Sequence, residues 1–541
     1  MKGRHLMDFI PIYLIILPVI SAIFIYIIKD NRVNYLAIVT QLIMTILAIL
    51  YFNHFYIDGF FNSQTIYIGN WEAVGISLRT DTLSMSFVFL TLFSWWMVIL
   101  YTFNKNEDHH DFLFFLMFLQ GVFLGLLQTN DLFNMFVFVE LTTIIVTILI
   151  AYNKSGKSFR AGLYYLLINT SGVLAFLIGI IFIYNTFGSI NIQTVTLAMS
   201  DYGQTTLMRF TFVLMMAGIS VKAALFPVFT WLPKAHGAAK AGISALLSGL
   251  VVKGGLYLFI RITSMFSNAD YQYANFFYVI GVITAITAII LAISQNDLKQ
   301  MLAYSTVSQI GLIIIGLSSS DPNVYSGGLL HIFNHALFKI LLFMGVGMII
   351  SVYHSKNATQ IRGVFRSMPL VSAAMILAML SITGAPLLNG FISKSAIMYG
   401  FATTDARYWI LFIANIGTAT LFIKMSQIFF GKQSLSFRFQ NHLQDGTLII
   451  LSIALVIFGN FYIPIGQGFF GADFSNISFT IAKLFEYFII IGVAYSIYRF
   501  VVRPESKTIH RLRNFTLSFE SANYIFVVYI VLMTVYFVFI F

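Results

Sequence analysis

Apolar positions along this chain come in long continuous runs, not in the alternation of a half-buried strand or the narrow stripe of a soluble amphipathic helix. The runs are about 18 to 24 residues long, close to the roughly 20 that a helix needs to cross a bilayer. They predict sixteen helices, starting near Phe9, Val33, Asp81, Phe112, Leu132, Ala161, Phe210, Gly242, Phe276, Met301, Gly327, Pro369, Arg407, Gly446, Phe479 and Ser521. The longest polar stretches, near Asp58–Arg79 and Ser189–Arg209, leave no room for a soluble catalytic domain. The expected fold is an all-α polytopic membrane protein. Lys2 and Arg4 precede the first run as in a signal peptide, but no small-residue cleavage site follows, and the segment is expected to be a retained span.

Two runs are interrupted at their middles, the seventh by Ala224-Leu-Phe-Pro227 and the twelfth by Thr383-Gly-Ala-Pro386-Leu-Leu-Asn-Gly390. Proline commonly does no more than kink a membrane helix. Paired Gly/Pro breaks in corresponding halves also mark inverted repeats with an ion path at the broken helices. A lysine near each break, Lys222 before the first and Lys394 after the second, favours the functional alternative. The expected organisation is helices one to three (1–110), a five-helix repeat (111–262), a second, inverted five-helix repeat (275–430), and three C-terminal helices (446–541).

At 59% hydrophobic and 9% charged residues over 541 positions, the composition excludes an ordinary soluble enzyme. Absence of cysteine excludes disulfides, thiolate metal sites and cysteine-ligated clusters, so redox chemistry would belong to a partner and no cofactor is expected. The net charge of +11 is placed by topology. Lys29, Arg32, Lys105, Lys154, Lys157, Arg160, Lys234, Lys240, Lys299, Lys356, Arg362, Arg366, Lys432, Arg438 and the stretch 499–513 follow odd-numbered helices, whereas only Arg79, Arg209, Arg261 and Arg407 follow even-numbered ones. The positive-inside rule then puts the odd loops in the cytoplasm and both termini outside, with Lys2 and Arg4 dissenting. No nucleic-acid partner is needed to explain the charge.

Ionisable groups inside apolar runs are costly and therefore candidate chemistry. Glu140 is the only carboxylate in its run; it would form a switchable ion pair with a lysine, or be a protonated acid bonded to a neighbouring hydroxyl. Lys222 and Lys253 lie deep in theirs, and burial disfavours the charged form of an amine, which makes it a usable proton carrier. His331, His335 and Lys339 fall at i, i+4 and i+8 on one helical face, a polar stripe suited to a hydrated proton relay. Two histidines at i, i+4 also have zinc spacing, but no glutamate accompanies them, and no metal is expected. Tyr304-Ser-Thr-Val-Ser308-Gln309 either holds water or bonds helix to helix. Lys424, near a helix end, is expected to snorkel.

These residues resemble a known set. Asp131-Leu-Phe-Asn with Glu140, Lys222 to Trp231-Leu-Pro, His236, Ser244-Ala-Leu-Leu with Lys253, Asp297-Leu-Lys-Gln-Met-Leu-Ala-Tyr-Ser-Thr-Val-Ser-Gln309, His331 to Lys339, and Gly390-Phe-Ile-Ser-Lys394 are similar to the antiporter-like subunits shared by respiratory complex I and the Mrp multisubunit sodium/proton antiporters, the D-type Mrp subunit above all. The resemblance implies a proton path through Glu140, Lys222, Lys253, His331, His335, Lys339 and Lys394, supported by Ser308, Gln309 and the breaks at Pro227 and Pro386. It implies membrane partner subunits, protons and sodium as transported ions, and the cytoplasmic membrane of a prokaryote. No carboxylate cluster marks a cation site, so the exchanged ion is expected to cross in a partner. A proton-pumping arm of a redox complex, such as a complex I-like oxidoreductase or a membrane-bound hydrogenase, and the membrane subunit of an inorganic-carbon uptake complex are the alternatives. The chain departs from the family at Ala235-His-Gly-Ala-Ala-Lys240, where a proline is usual, and in two further spans after residue 479.

Overall fold

Polar residues at the run boundaries set the helix ends. Side chains of Asp81, Asp131, Ser155, Asn191, Asp297 and Asp321 each accept a backbone N–H of the first turn that follows, satisfying donors that have no intrahelical partner. The computed structural model describes residues 7–28, 30, 32–57, 60–68, 76–103, 109–267, 273–402, 404–432, 441–502 and 506–540. Lys2, Arg4, Lys29, Asp58, Lys105, Arg438 and Arg503 of the charge pattern lie outside the described residues.

The chain divides into two compact units. The first, Met1–Trp231, Val251–Gln272 and Ser518–Phe541, begins with α1 (Ile10–Ile28) and α2 (Val33–Phe55). Two small antiparallel hairpins follow, β1 (Tyr56–Ile57) with β2 (Phe60–Phe61) and β3 (Gln64–Ile68) with β4 (Ile76–Thr80), the latter pairing Ile66 with Leu78. Then come α3 (Thr82–Thr102), α4 (His109–Gln128), α5 (Leu132–Ala151), α6 (Gly156–Phe187), the short α7 (Ile192–Tyr202) and α8 (Thr206–Lys222). The second unit, Leu232–Leu250 and Tyr273–Leu517, takes up most of α9 (Trp231–Ala238) and all of α10 (Ala241–Leu246). A π-helical turn, Leu247–Val251, leads to α11 (Val252–Ser267) in the first unit. The second unit continues with α12 (Ala274–Ser294), α13 (Leu298–Leu317), α14 (Pro322–Tyr353), α15 (Val364–Ser367), α16 (Pro369–Thr383), α17 (Asn389–Tyr399), α18 (Ala406–Ser426), α19 (His442–Asn460), α20 (Tyr462–Phe470), α21 (Ile481–Phe500) and α22 (Lys507–Arg513). The last helix, α23 (Phe519–Thr534), packs on α8 and α6 of the first unit.

Among the described residues, fourteen helices are long and apolar enough to cross a membrane, against the sixteen expected. The difference lies in the seventh and twelfth runs, which the breaks divide into shorter pieces: α8 stops at Lys222, and α16 and α17 are separate helices on either side of Gly384–Leu388. Residues 232–250 group with the second unit and α23 with the first.

The two units follow one plan. Helices α5 and α13 each have 20 residues, and α6 and α14 each have 32. In the first unit Leu132 N donates to Ile190 O and Ile192 N to Asn130 O; in the second Leu298 N donates to Lys356 O and Ala358 N to Asn296 O, all at 2.9 Å. Each residue of the second set follows its counterpart at one constant sequence distance. Close helix contacts use glycine where nothing larger fits: a Cβ on Gly218 would lie 2.3 Å from the Gly172 carbonyl oxygen, and one on Gly390 would lie 1.9 Å from that of Ser381.

Candidate functional site

In the first unit, α8 ends because Ala224 adopts a left-handed conformation (φ 56°) and the chain turns through Pro227. Carbonyls freed at the helix end are met by the turn itself, with Leu225 N donating to Ser220 O at 2.9 Å, and by Trp231 Nε1 donating to Val221 O at 2.8 Å. Lys222, the last helical residue, therefore sits where the helix dipole is negative, and it is only 4% exposed. Its ammonium donates to Thr143 Oγ1 of α5 at 2.7 Å and to Tyr165 Oη of α6 at 3.3 Å.

Glu140 lies one turn before Thr143. It is half-buried, and its Oε1 accepts from Thr170 Oγ1 at 2.9 Å, while Oε2 makes no hydrogen bond among the described residues. Glu140 acts on Lys222 electrostatically without touching it. The expected glutamate–lysine pair is thus a separated pair, because Thr143 and Tyr165 occupy the ammonium. Lys253 is fully buried in α11, just beyond the π turn, a feature that often marks functional stretches of helix.

The second unit holds a longer polar series. His331 Nε2 donates to Gln309 Oε1 at 3.1 Å, because Gln309 Nε2 is itself used as the donor to Thr418 Oγ1 at 3.3 Å. In the neutral ring Nδ1 then accepts the Ser393 hydroxyl, 2.8 Å away. The His335 ring lies 6.3 Å from that of His331. Lys339 donates to the Leu302 carbonyl at 2.9 Å and to Ser305 Oγ, with its ammonium 6.0 Å from the Phe422 ring centroid. All three residues of the stripe are fully buried.

At the second break, Gly384 (φ 85°) and Leu387 (φ 68°) turn the chain around Pro386. Lys394 reaches back to the end of α16, donating to Ile382 O at 2.6 Å and to Asn415 Oδ1 at 2.7 Å. Asn334 and Asn389 bond each other, and Ser381 Oγ donates to Asn389 Oδ1, which ties the break to α14.

Of the remaining expected residues, Gln309 joins the histidine, whereas Ser308 donates to Ala285 O at 2.9 Å and bonds helix to helix. Lys424 does more than snorkel: it donates to the Ile293 and Gln295 carbonyls at the end of α12. Sequence reasoning placed Ser305 in the hydroxyl and amide cluster of α13 but missed Thr143, Tyr165, Ser393 and Asn415. Hydroxyls in membrane helices usually bond their own helix, and Thr143 Oγ1 does donate to Val139 O, so nothing local distinguished it. It also missed Asp81, which receives Arg261 Nη1 and Nη2 at 2.6 and 2.7 Å. Burial alone would raise the Asp81 pKa; the Arg261 charge and hydrogen bonds, with the Ser84 N–H, overcome this and hold it at about 2. Among the described residues no three His, Cys, Asp or Glu converge to hold a metal ion.

Membrane helices interrupted in mid-run, with buried ammonium groups at their inner ends, define a transporter type of membrane protein. The chain belongs to the family described as NADH:quinone oxidoreductase/Mrp antiporter, TM, which matches residues 129–423. It is 28% identical over 411 residues to the D-type subunit of the Na(+)/H(+) antiporter of Alkalihalophilus pseudofirmus, spanning 74% of this chain and 83% of that protein. Similarity to the antiporter protein mnhD2 of Staphylococcus aureus is 28% over 422 residues, 77% and 84% of the two chains. Among solved structures, a chain of the membrane-bound sulfane sulfur reductase, an archaeal respiratory membrane complex, matches with TM-score 0.80 and 26% identity over 90% of this chain and 99% of that one. A chain of the Mrp complex from Dietzia sp. shares the fold, with TM-score 0.77 and 19% identity over 94% of this chain and all of that one (100%).

Proposed function

We propose that the chain is the proton-translocating subunit of a multisubunit cation/proton antiporter, working with membrane partner subunits and exchanging protons for sodium. The observation that carries this is the placement of Lys222 and Lys394: both ammonium groups are buried at the C-terminal end of an interrupted helix, α8 and α16, and among the described residues they are bonded only to neutral oxygens. An ammonium held this way releases its proton without leaving a contacting carboxylate unpaired. Glu140 then supplies a separated counter-charge, and Lys253, His331, His335 and Lys339, with Gln309, carry protons onward to Lys394. Each 100 mV of membrane potential contributes about 2.3 kcal/mol per charge moved, enough to drive coupled exchange. Stretches 111–262 and 275–430 act as inverted repeats, a proposal supported by their matched helix lengths and loop bonds. The basic loops face the cytoplasm of a prokaryotic cell, and both termini face outward.

The likeness to a respiratory complex at 26% identity favours a second possibility, a proton-pumping arm driven by a redox partner. Inverted vesicles containing the chain with its partner subunits separate the two. Sodium-driven proton movement, followed by a pH-sensitive dye and abolished by Glu140→Ala and Lys394→Ala, is the antiporter outcome. Proton uptake on adding an electron donor, without a sodium response, is the redox outcome. Normal transport in both variants defeats the proposed path.

A further inference from the structure

Loop ends of the second unit enclose a cavity of about 410 Å³ lined by Arg362, Lys424, Arg499 and Arg513, together with Tyr498 and Ile509. No carboxylate occurs among the described residues that line it. The four cations come from the loop after α14, the end of α18, the end of α21 and the end of α22, so the fold gathers them from separate elements.

Part of this charge has a structural use. Lys424 donates to Ile293 O and Gln295 O at 2.7 and 2.6 Å, and Arg513 Nε donates to Ser294 O at 2.9 Å, which caps the C-terminus of α12. Arg362 Nη1 donates to Ala358 O and Ile361 O, both at 2.7 Å. All of these acceptors are neutral, and among the described residues no carboxylate pairs with any of the four charges. Among the described residues, both Nη groups of Arg513 and the Nε and Nη2 of Arg362 remain unused, and Arg499 makes no hydrogen bond. Four like charges around one cavity repel one another, and an anion in the cavity removes that repulsion.

We propose that this cavity holds the phosphate of an anionic phospholipid headgroup. Planar guanidinium donors match phosphate oxygens, and basic pockets among membrane helices on the cytoplasmic side suit such headgroups. The cavity volume falls in the range of small-ligand sites. A lipid fits better than a soluble anion because Val502 and Ile509 line the same cavity and α21 is open to lipid, with only 11% of its most apolar stretch buried. The site does not depend on the proton path.

Native mass spectrometry of the chain in its complex, loaded with phosphatidylglycerol or cardiolipin or with phosphatidylcholine, tests the assignment. Arg499→Ala is the informative variant because Arg499 supports no bond among the described residues, and Arg499→Lys checks that charge is the cause. The expected result is selective retention of anionic lipid, reduced roughly five-fold by Arg499→Ala, the effect of one cation at an anionic surface, and largely restored by Arg499→Lys. Equal retention of anionic and zwitterionic lipid, or equal behaviour of wild type and Arg499→Ala, overturns the proposal. So does displacement of the anionic lipid by inorganic phosphate alone, which assigns the cavity to a soluble anion, or loss of a partner subunit from the Arg499→Ala complex, which assigns it to an acidic protein surface.

Discussion

Lys222 is a buried and Arg261 a partly buried cation of the first unit, and their partners give them opposite characters. Arg261 is locked in a two-point bond to Asp81, whereas Lys222 rests on two hydroxyls. Thr143→Val removes the shorter of those bonds; a hydrogen bond to a charged group is worth about 1.5–3 kcal/mol, so proton flux in vesicles should fall by roughly ten-fold or more, while Lys222→Met abolishes it. Asp81 titrates well below its ordinary 3.8, so its contribution is complete above about pH 4 and is lost as pH falls toward 2. Asp81→Asn should therefore lower the stability of the detergent-solubilised chain by about 2 kcal/mol at pH 7, with the gap closing in acid. A gap that does not change with pH removes the electrostatic explanation. Both lysines and the histidine stripe were legible in the sequence because charge inside an apolar run is conspicuous. Thr143, Tyr165 and Asn415 were not, because a hydroxyl or amide becomes part of a site only through the helix that packs opposite it.

Breaks in helices are written in the sequence by Gly and Pro, and both appear where Pro227 and Pro386 stand. What holds them in place was not legible. The second break depends on α17 lying against α16 with no side chain between, at Gly390. Gly390→Ala should cost about 1–3 kcal/mol and displace Lys394 from Ile382, seen as a lowered thermal midpoint together with lost transport. The two late helices supply an unexpected brace. Tyr529 of α23 meets Ser220 at 3.1 Å in the last turn of α8, and Tyr487 of α21 meets Thr383 at 2.9 Å at the end of α16. Tyr529→Phe and Tyr487→Phe keep the rings and remove only the hydroxyls. Each should cost about 0.6 kcal/mol, the mean for interhelical bonds in a membrane protein, and transport should slow by more than that loss explains if the brace sets the geometry of the break. The β-hairpins at 56–80 escaped notice because their strands are only two to five residues long, too short for an alternation to register.

Across the whole molecule, a shared plan carries unlike chemistry. The constant spacing that relates Asp131 to Asp297 also relates Thr143 to Gln309, Tyr165 to His331 and Asn169 to His335. One unit thus places a phenol and an amide where the other places two imidazoles. The paired breaks only suggested repeats, and this residue-level correspondence emerged from the matched loop bonds. The charges also differ: the first unit has Glu140 near its lysine, whereas among the described residues of the second unit no aspartate or glutamate is buried beside His331, His335, Lys339 and Lys394. Phe422→Glu, which would set a carboxylate against Lys339, should pin the charge there and stop proton flux in vesicles without preventing assembly. Without such a counter-charge, each proton that settles in the second unit raises the electrostatic cost of admitting another, most of all between rings 6.3 Å apart. On the proposed path, traffic there would be self-limiting. The unit would behave as a single-occupancy lane, in which throughput is governed by the departure of the proton already aboard, and steepening the supply behind it would bring diminishing returns.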